Sequence, residues 1–411
     1  MEKGKKWDLV ALASIPLVMT LGNSMLIPVL PTIEKKINIT AFQSSMIITV
    51  YSIVSIFFIP IAGYLSDQFG RKKVIIPSLI IAGIGGAISG VAAWQMKNPY
   101  WIILAGRVIQ GIGSSGAFPI VIPTVGDLFK NESDVSKGLG IVETANTFGK
   151  VLSPVLGALL AAWAWFIPFL SIPVFALIAI VLVLFLVRPP KNNQEKPEGG
   201  FKQFVINTKN VLKEKGDWLY AIFFLGWVCM FVYFGFLFSF ASKLENVYNV
   251  QGLKRGLIIA IPLSFLCITS FTTGKLIGQK KTVMKWVVVS GFILAASALF
   301  RLGFSTRYIW RIIFLSISAV GIGATLPSLD ALVTEGIGKK QRGTITGLFS
   351  AMRLLGVALG PPVAALLMKA GDKPLFFTLT GVGLIGAIVT LIFIKPPKGQ
   401  ENPLQKTQPQ H

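Results

Sequence analysis

Twelve apolar runs, each long enough to cross a membrane as a helix, set the strongest limit on how this chain can fold. At about 1.5 Å of rise per residue, roughly 20 residues span the approximately 30 Å hydrocarbon core of a bilayer. Of 411 residues, 53% are hydrophobic and 14% are charged, which is too apolar for a soluble domain of this size. We therefore expect an all-α integral membrane protein with twelve transmembrane helices. The runs cover approximately residues 9–30, 42–64, 74–94, 100–126, 138–161, 163–187, 218–241, 256–277, 283–304, 308–334, 343–368 and 374–394.

The basic residues indicate how the twelve runs are oriented. The formal net charge is +22, but the bases recur in the short intervals between runs and form neither a patch nor a stripe, so we expect no nucleic-acid partner. With the N-terminus in the cytoplasm, 25 of the 39 Lys and Arg residues fall in inner segments, 10 in outer loops and 4 within helices. The positive-inside rule then predicts a multi-pass protein of the cell membrane with both termini cytoplasmic.

The chain divides into two halves of six runs each. Its composition changes between Arg188 and Asp217, where RPPKNNQEKPEGG is followed by a basic segment. Short correspondences link the flanking halves and indicate a parallel repeat. They pair Gly63 with Gly274, the GIG at Gly111 with the GIG at Gly321, and GKVLSPVLGALL from Gly149 with GVALGPPVAALL from Gly356. The predicted domains are a six-helix bundle over residues 1–187, a cytoplasmic linker over 188–217, a second six-helix bundle over 218–396 and a polar cytoplasmic tail over 397–411.

The most polar interruption between two runs is GYLSDQFGRKK, from Gly63 to Lys73, which carries one acid and three consecutive bases. Ionised groups at this density cannot lie in lipid, so we expect a short loop at a membrane surface between the second and third helices. The pattern Gly-x-Leu-x-Asp-x-x-Gly-Arg-Lys resembles the loop signature of the major facilitator superfamily. The resemblance implies two pseudo-symmetric six-helix bundles, alternating access, and a substrate site between the bundles near the midplane.

The same resemblance implies a latch on the cytoplasmic side. In the family this loop latches the outward-facing state through ion pairs. The role carries over to Gly63, Asp67, Gly70 and Arg71, together with Asp127 at the inner end of the fourth helix. The alternative is that the bases serve membrane topology alone.

One arginine lies deep in the fourth helix. Arg107 is about seven residues, or roughly 10 Å, below the outer surface, so its guanidinium is expected to face a wet cavity or a hydrogen-bond acceptor. Arg107, Gln110 and Gly111 form an Arg-x-x-Gln-Gly pattern that resembles the family's fourth-helix motif, whose arginine is associated with proton coupling. A structural arginine bonded to carbonyl groups is the alternative. We count Arg107, Gln110 and Asn23 of the first helix among the cavity residues.

Three polar residues share one face of the fifth helix. Glu143 and Lys150 are two helical turns apart, and Asn146 lies between them at spacings of three and four. Lys150 falls near the midplane, and Glu143 lies about 7–8 Å from the inner surface. A charge at the bilayer centre is costly unless it is paired or solvated, so this face points into the protein. We expect Glu143 to bind the coupled proton, and Asn146 and Lys150 to line the substrate cavity.

The fifth helix also contains Gly149, Ser153, Pro154 and Gly157 in a pattern that resembles the signature of the drug and proton antiporter branch. Ser153 and Ala158 depart from that signature, which has glycine at both positions. The resemblance implies a helix that bends and rocks, since small residues allow close helix approach and proline permits a bend. Close packing alone is the alternative.

The second half offers further candidates. Arg353 occupies the repeat position of the asparagine in the fifth helix, and Asp330 lies about four residues from the inner end of the tenth helix. Asp330 is the second candidate for proton binding, with an ordinary interfacial carboxylate as the alternative. The seventh helix is aromatic on all sides, so we expect some rings to face lipid and Trp227 and Tyr233 to line an apolar wall of the cavity. Arg311 is close enough to the outer surface to extend its side chain to water.

Several classes of function are excluded by residue counts. The single histidine, His411, lies in the polar tail, which argues against a His-ligated metal site, a Ser-His-Asp hydrolase and a His proton relay. The chain has no G-x-x-x-x-G-K-[ST] phosphate loop, which argues against an ATP-driven pump. Cys229 and Cys267 lie within apolar runs, as expected of reduced core residues. We therefore expect neither an enzyme nor a bound cofactor.

These features predict a proton-coupled secondary transporter that works as a monomer in the bilayer. Arg107, Lys150 and Arg353 outnumber Glu143 and Asp330, so we expect a cationic cavity that favours anionic or neutral aromatic substrates. The expected activity is export of small amphipathic molecules, drugs or siderophores, and the sequence resembles bacterial siderophore exporters. A proton symporter that takes up an organic anion is the main alternative. A non-transporting membrane sensor or assembly factor is another.

Overall fold

The structure is a computed structural model, and it describes residues 5–129, 132–187, 201–277, 281–305, 307–337 and 339–394. Within these ranges the regular secondary structure is helical and includes no β-strand. The α-helices are α1 (Lys5–Ser24), α2 (Leu30–Ile37), α3 (Ala41–Phe69), α4 (Arg71–Gln95), α5 (Tyr100–Leu128), α6 (Glu132–Trp163), α7 (Ile167–Leu186), α8 (Phe201–Asn246), α9 (Gly252–Leu276), α10 (Lys281–Leu302), α11 (Tyr308–Gly336), α12 (Lys339–Lys369) and α13 (Asp372–Phe393).

These helices form twelve membrane spans within the described ranges, as predicted. The first span, Lys5–Ile37, consists of α1, a 3₁₀ turn at Ile27–Val29 and α2, and α3 to α13 supply the other eleven. The turn contains Pro28, which has no N–H to continue the ladder of α1. In α8 the backbone leaves the helical region at Gly216, where φ is 50°, and the membrane span starts there. Residues 188–200 of the predicted linker lie outside the described ranges, so the domain boundaries stay a prediction.

Because the number of spans is even, both ends of the described chain lie on one side of the membrane. We call this side, where Lys5 and Ile394 lie, the terminal side. The C-terminal ends of α3, α5, α7, α9 and α11 lie on this side, as do the N-terminal ends of α4, α6, α8, α10 and α12. The opposite side is the distal side. Helices α1–α7 are called the N half, and helices α8–α13 the C half.

The two halves repeat the same packing pattern. In the N half, α1 packs against α6 and α7, α4 packs against α5 and α7, and α3 packs against α5. In the C half, α8 packs against α12 and α13, α10 packs against α11 and α13, and α9 packs against α11. Each of these contacts in the N half has a counterpart six spans later, which is the arrangement expected of a parallel repeat.

Two lysines on the terminal side make equivalent contacts in the two halves, which supports the structural repeat independently of helix packing. Lys72 of α4 donates to the carbonyl oxygens of Leu184 and Val187 at 2.8 Å, at the C-terminal end of α7. Lys285 of α10 donates to the carbonyl oxygen of Leu391 at 2.9 Å, near the C-terminal end of α13. In each half a lysine thus satisfies carbonyl groups at the end of the last helix and opposes its negative dipole end.

Glycine packing confirms one predicted repeat correspondence and corrects another. Gly149 and Gly356 correspond as predicted, because each packs against the first membrane helix of its half, α1 or α8. The pairing of the two GIG segments is wrong by two residues. A Cβ on Gly111 would lie 2.6 Å from a carbonyl of α3, and the equivalent contact with α9 is made by Gly323, whereas Gly321 packs against α10. Two residues along a helix correspond to a rotation of about 200°, so Gly111 and Gly321 lie on different faces of their helices although the GIG sequences match.

The halves contact each other through α3 with α12 and through α6 with α9. Thr49 of α3 donates to the Ala358 carbonyl of α12 at 2.7 Å. A Cβ on Gly256 of α9 would lie 2.4 Å from the Pro154 carbonyl of α6, so the two backbones touch there. Both contacts lie in the distal part of the membrane.

The apolar cores show where the halves separate. One core joins buried residues from the distal part of the N half, including Leu30 and Ile48, to the C half. A second core belongs to the N half alone and lies on its terminal side, around Leu12, Leu79 and Val125. The cleft between the halves is therefore closed on the distal side and opens toward the terminal side.

The expectation that some aromatic rings of the seventh span face lipid does not hold for the centre of the span, although Tyr220, near its terminal end, is 54% exposed. Over its most apolar stretch, the span Gly216–Asn246 is 89% buried within the protein, because α11, α12 and α13 pack around it. Phe231, Tyr233 and Phe234 are each 5% exposed or less. Aromatic residues on every face therefore mark a central helix here, and lipid contact falls to outer helices such as α7.

Candidate functional site

Four charged residues from both halves meet between the bundles. The Arg353 guanidinium of α12 donates from Nη1 to Asp330 Oδ1 of α11 at 3.2 Å. Its Nη2 lies 3.8 Å from Oε1 of Glu143, which belongs to α6 in the N half. Arg353 therefore bridges the two carboxylates that the sequence predicts as proton-binding candidates. We call Glu143, Lys150, Asp330 and Arg353 the central cluster.

Hydrogen bonds confirm that the polar residues of α6 share one face. The Asn146 amide donates to both carboxylate oxygens of Glu143, at 3.2 and 3.3 Å. Its Oδ1 accepts from the Thr20 hydroxyl of α1 at 2.5 Å. Lys150 lies one turn further toward the distal side, is 6% exposed, and interacts electrostatically with the rest of the central cluster. Thr20, which the sequence did not single out, thus orients the amide that orients Glu143.

Solvent reaches the central cluster from the terminal side. The Glu143 and Asp330 side chains are each 30% exposed and that of Arg353 is 13% exposed, whereas Lys150 is buried. The cleft is closed distally, so protons from the terminal side have access to both carboxylates in this conformation. Lys150 lies at the closed end of the cleft.

The predicted cationic excess does not hold for the central cluster. With both carboxylates ionised, Lys150 and Arg353 balance Glu143 and Asp330, and the formal charge is zero. The expected excess came from counting Arg107, which belongs to a separate site. Protonation of one carboxylate gives the cluster a charge of +1.

Arg107 is fully buried among neutral acceptors of the N half. It donates to the Ile47 carbonyl at 2.8 Å, to Gln110 Oε1 at 2.5 Å and to Asn23 Oδ1. Its guanidinium also lies over the Tyr51 ring, 4.4 Å from the ring centroid. These bonds tie α1, α3 and α5 together. The acceptor expected from the depth of Arg107 is confirmed, and the geometry favours the structural role, while the proton-coupling role stays a prediction.

The signature segment forms an ion-pair cluster on the terminal side, but it is not a loop. Gly70 alone separates α3 from α4, with a φ of 96° that favours glycine. Arg71 Nη1 lies 2.5 Å from Asp67 Oδ1, and its Nε lies 3.1 Å from Asp127 Oδ2 of α5. A Cβ on Gly63 would meet nothing within 4 Å. The three charged residues all belong to the N half, so their predicted role as a latch between the halves stays a prediction.

The glycine and proline residues of α6 let it approach two neighbours. Gly149 faces α1, and a Cβ on Gly157 would lie 2.1 Å from the carbonyl oxygen of Met25, the residue that follows α1. Pro154 has no N–H, and the adjacent Ser153 hydroxyl donates to the Gly149 carbonyl at 2.6 Å. The Pro154 carbonyl in turn faces Gly256 of α9. Close packing against both halves is therefore present, and the predicted bending motion stays a prediction.

Three aromatic rings of α8 stack on one another, and the backbone of this segment packs against Gly356 of α12, one helical turn from Arg353. Trp227 lies between Phe224 and Phe231, with ring centroids 5.4 and 5.2 Å away. Trp227 is half-buried, and its buried indole Nε1 has no hydrogen-bond partner among the described residues. Tyr233 is 1% exposed and has the contacts of a core residue. Of the two predicted wall residues, Trp227 is thus the one with an unused donor.

The distal side contains two groups of ion-paired residues that the sequence did not identify as site candidates. In the first, Glu245 of α8 pairs with Arg255 of α9, and Lys35 of α2 lies 3.1 Å from Glu245. The available sequence signal was one acid and one base on either side of the short α8–α9 junction. That signal does not reveal the contact with α2, which depends on how the halves pack.

The second group corrects the expectation that Arg311 extends to water. Arg311 is 3% exposed, pairs with Asp372 and donates to the Tyr248 hydroxyl and the Ser305 carbonyl at 3.0 Å. Lys243 of α8 also pairs with Asp372. The group fastens the distal ends of α8, α11 and α13 to each other. A recess of about 510 Å³ opens beside it, remote in sequence and position from the central cluster.

The described residues do not form a metal site. They include no group of three or more His, Cys, Asp or Glu side chains arranged to hold a metal ion. Cys229 is buried and Cys267 is half-buried, and both are free thiols. His411 lies outside the described ranges.

Known proteins match this chain over nearly its whole length. The sequence profile described as Major Facilitator Superfamily matches residues 12–361. The Bacillibactin exporter of Bacillus subtilis (strain 168) is 52% identical over 395 residues, which cover 96% of this chain and 98% of that protein. Multidrug resistance protein 2 of the same organism is 24% identical over 95% of this chain and 96% of its own length. Tetracycline resistance protein, class D, of Salmonella ordonez is 26% identical over 94% and 97%.

A solved structure has the same fold. The crystal structure of the human organic anion transporter MFSD10 (TETRAN) matches with a TM-score of 0.72, over 95% of this chain and 100% of that chain. Its sequence identity is 16%, so the likeness concerns the fold alone.

Proposed function

The chain belongs to the Major Facilitator Superfamily, and we propose that it is a proton-coupled exporter of small amphipathic aromatic molecules, neutral or anionic. The observation that carries the proposal is the position of Arg353, which contacts Asp330 of its own half and Glu143 of the other half. When one half moves relative to the other, the distance between Arg353 and Glu143 changes. Conformation and protonation of Glu143 are then linked, which is what coupling requires.

We place the terminal side in the cytoplasm, on the strength of the count of basic residues, and the protein in the cell membrane as a monomer. The cleft described here is then the inward-facing state. A cytoplasmic substrate enters it from the terminal side and reaches the central cluster before it meets the closed distal end.

Antiport requires that substrate and proton compete for one site. In the inward-facing state, Glu143 and Asp330 meet the proton-poor cytoplasm and release protons. A substrate whose hydroxyl groups donate to the ionised carboxylates then binds most tightly. Once the cleft opens to the proton-rich distal side, protonation removes the charged acceptors and the substrate leaves. Glu143 is the first candidate for this proton and Asp330 the second.

The surroundings of the cluster match an aromatic substrate that carries polar groups. The half-buried rings of Phe224 and Trp227 offer an aromatic surface, and the buried indole N–H of Trp227 has no hydrogen-bond partner among the described residues. Lys150, at the closed end, attracts a negative group. Export of each negative charge from a cytoplasm at −100 mV is favoured by about 2.3 kcal/mol.

The relatives support export as the direction of transport. One is named for export of bacillibactin and others for multidrug and tetracycline resistance. We propose that this chain exports bacillibactin or a siderophore of that type, because the identity of 52% extends along nearly the whole chain. Drug export is the secondary activity.

Inverted membrane vesicles test this function, since their outer face corresponds to the cytoplasm. With an acidified interior, vesicles that contain the protein are expected to accumulate labelled bacillibactin, and nigericin, which collapses the pH gradient, is expected to stop accumulation. Glu143→Gln is expected to abolish the pH-driven part. Glu214→Gln, an acid-to-amide change at an exposed position, is the matched control. Accumulation that ignores both nigericin and Glu143→Gln would contradict proton-coupled export.

Uptake of an organic anion by proton symport is the second candidate. The charge balance favours it, because protonating one carboxylate makes the central cluster +1 and thereby favours an anion. In the same vesicles a symporter releases preloaded anion together with protons and does not concentrate it from outside. The direction of pH-driven movement separates the two functions.

A further inference from the structure

The closed distal side contains a partly buried cluster of polar and charged residues that connects the halves. It consists of Thr32 and Lys35 of α2, in the N half, with Glu245 of α8 and Arg255 of α9, in the C half. We call it the distal cluster. Glu245 is 3% exposed and Arg255 is 1% exposed, so their pair forms in the protein interior, whereas the Lys35 side chain is 51% exposed and its bond to Glu245 is screened by salt.

Glu245 lies between one cation from each half. Lys35 Nζ is 3.1 Å from one carboxylate oxygen, and Arg255 pairs with the other. The Thr32 hydroxyl donates to the Glu245 carboxylate at 3.3 Å and accepts from Arg255 Nη2 at 3.1 Å. Both residues from the N half thus bind the same acid–base pair of the C half.

The surrounding contacts show which bonds of the distal cluster must break when the halves separate. On α8, Lys243 pairs with Asp372, which also pairs with Arg311, so the distal end of α8 is fastened within the C half. On α2, Glu34 accepts from the Ser44 hydroxyl of α3 at 2.5 Å, so α2 is fastened within the N half. The bonds that cross between these two fastened ends are those of Thr32 and Lys35.

We propose that Glu245 is the gating residue that holds the distal side closed. While its carboxylate is present, it attracts Lys35 across the boundary between the halves and pairs with Arg255 within the C half. Without that negative charge, the two cations face each other and a buried Arg255 loses its partner, so attraction becomes repulsion. The inference needs only that the halves separate distally during the cycle, and its test rests on the proposed cytoplasmic position of the terminal side. It depends neither on the direction of transport nor on the proton.

Accessibility of a cysteine at position 49 tests the gate. Thr49 is 4% exposed and bonds to Ala358 across the α3–α12 contact, so it meets distal solvent only when the halves part. Thr49→Cys, in a chain with Cys229→Ala and Cys267→Ala, is treated in whole cells with a membrane-impermeant maleimide. Glu245→Gln is expected to raise the labelling rate on the order of tenfold. Lys35→Ala is expected to raise it about two- to threefold, because the buried pair remains.

Glu34→Gln is the matched control, since it removes a carboxylate from the same short helix without touching a bond between the halves. Its labelling rate is expected to equal that of the parent. If Glu245→Gln does not reach the membrane, Lys35→Ala decides, because it keeps the Glu245–Arg255 pair. Equal rates for Lys35→Ala, Glu34→Gln and the parent, or a lower rate in Glu245→Gln, overturn the assignment. If the vesicles fail to accumulate bacillibactin but the labelling rates are as expected, the proposed export function is refuted and the assignment of Glu245 as the gating residue stands.

Discussion

Two arginines within membrane spans, Arg107 and Arg353, differ in the charge of their partners. Arg107 is fully buried and bonds to carbonyl and amide oxygens of its own half. Arg353 is partly exposed and contacts two carboxylates, Asp330 at 3.2 Å and Glu143 at 3.8 Å, one from each half. The first arginine joins helices that move together. The second joins groups whose separation must change when the halves rock.

The comparison explains why depth in the membrane does not identify a coupling residue. Both guanidinium groups avoid lipid by meeting acceptors, as the cost of an unpaired charge requires. A neutral amide such as that of Gln110 has the same charge at every pH. The hydrogen bonds of Arg107 within the described chain therefore do not change strength through titration of their acceptors. A carboxylate such as Glu143 exists in two charge states, so the strength of its attraction to Arg353 depends on its protonation.

The largest effect is expected at Arg353. Arg353→Gln leaves two carboxylates facing each other without their shared cation, and proton-driven transport in proteoliposomes is expected to fall by about a hundredfold. Arg353→Lys is expected to retain part of the rate, because an ammonium group pairs with one carboxylate but does not bridge two as a guanidinium does. Transport by Arg353→Gln at the parental rate would break the contrast between the two arginines.

A smaller effect, and one of a different kind, is expected at Arg107. Arg107→Gln leaves buried acceptors on α1 and α3 unsatisfied, so the free energy of unfolding in detergent is expected to fall by about 2–4 kcal/mol. Transport per folded molecule, normalised by fluorescence size-exclusion chromatography, is expected to change less than about twofold. Unchanged stability with loss of the pH dependence of transport would instead assign Arg107 to proton coupling.

Lys150 sharpens the comparison, because it is a buried cation beside the same carboxylates. Lys150→Met is expected to weaken binding of an anionic substrate about fivefold and to leave binding of a neutral one nearly unchanged, since only the anion loses an attraction. Equilibrium binding of a charged and an uncharged member of one compound series measures this. Equal losses for both compounds would mean that Lys150 shapes the cavity and does not select charge.

The smallest effects are expected at the two lysines that cap the last helix of each half. Lys72→Met and Lys285→Met each remove a bond to terminal carbonyl groups at a half-exposed site, with an expected cost of about 0.5–1 kcal/mol. Because the contacts repeat between the halves, the two costs are expected to be similar in thermal unfolding. A cost above that of Arg107→Gln would contradict the ranking.

Sequence periodicity predicted which residues share a face, but not which helix that face meets. The stripe of Glu143, Asn146 and Lys150 followed from spacing along one helix. The contact of Arg353 with Glu143 follows from the packing of α12 and α6 across the halves, which spacing does not contain. The same limit explains why Glu245 and Arg255 were not among the candidates.

Burial was predicted less well than span positions. The apolar runs located all twelve spans, because the bilayer sets helix length. Hydrophobicity alone does not separate a helix in lipid from one inside a bundle, since both exclude water. Aromatic rings of α8 were therefore expected to touch lipid, and Arg311 to reach water, whereas the centre of α8 and the Arg311 side chain are both enclosed by neighbouring helices.

Substrate-induced proton release tests most directly the claim that the carboxylates shared by Arg353 carry the coupled proton. Purified protein in weakly buffered detergent solution, with a pH indicator, is mixed with bacillibactin. The account predicts that the parent releases protons, that Glu143→Gln releases fewer, and that Glu143→Gln with Asp330→Asn releases none. Equal proton release by the parent and the double variant, with substrate binding unchanged, would contradict it.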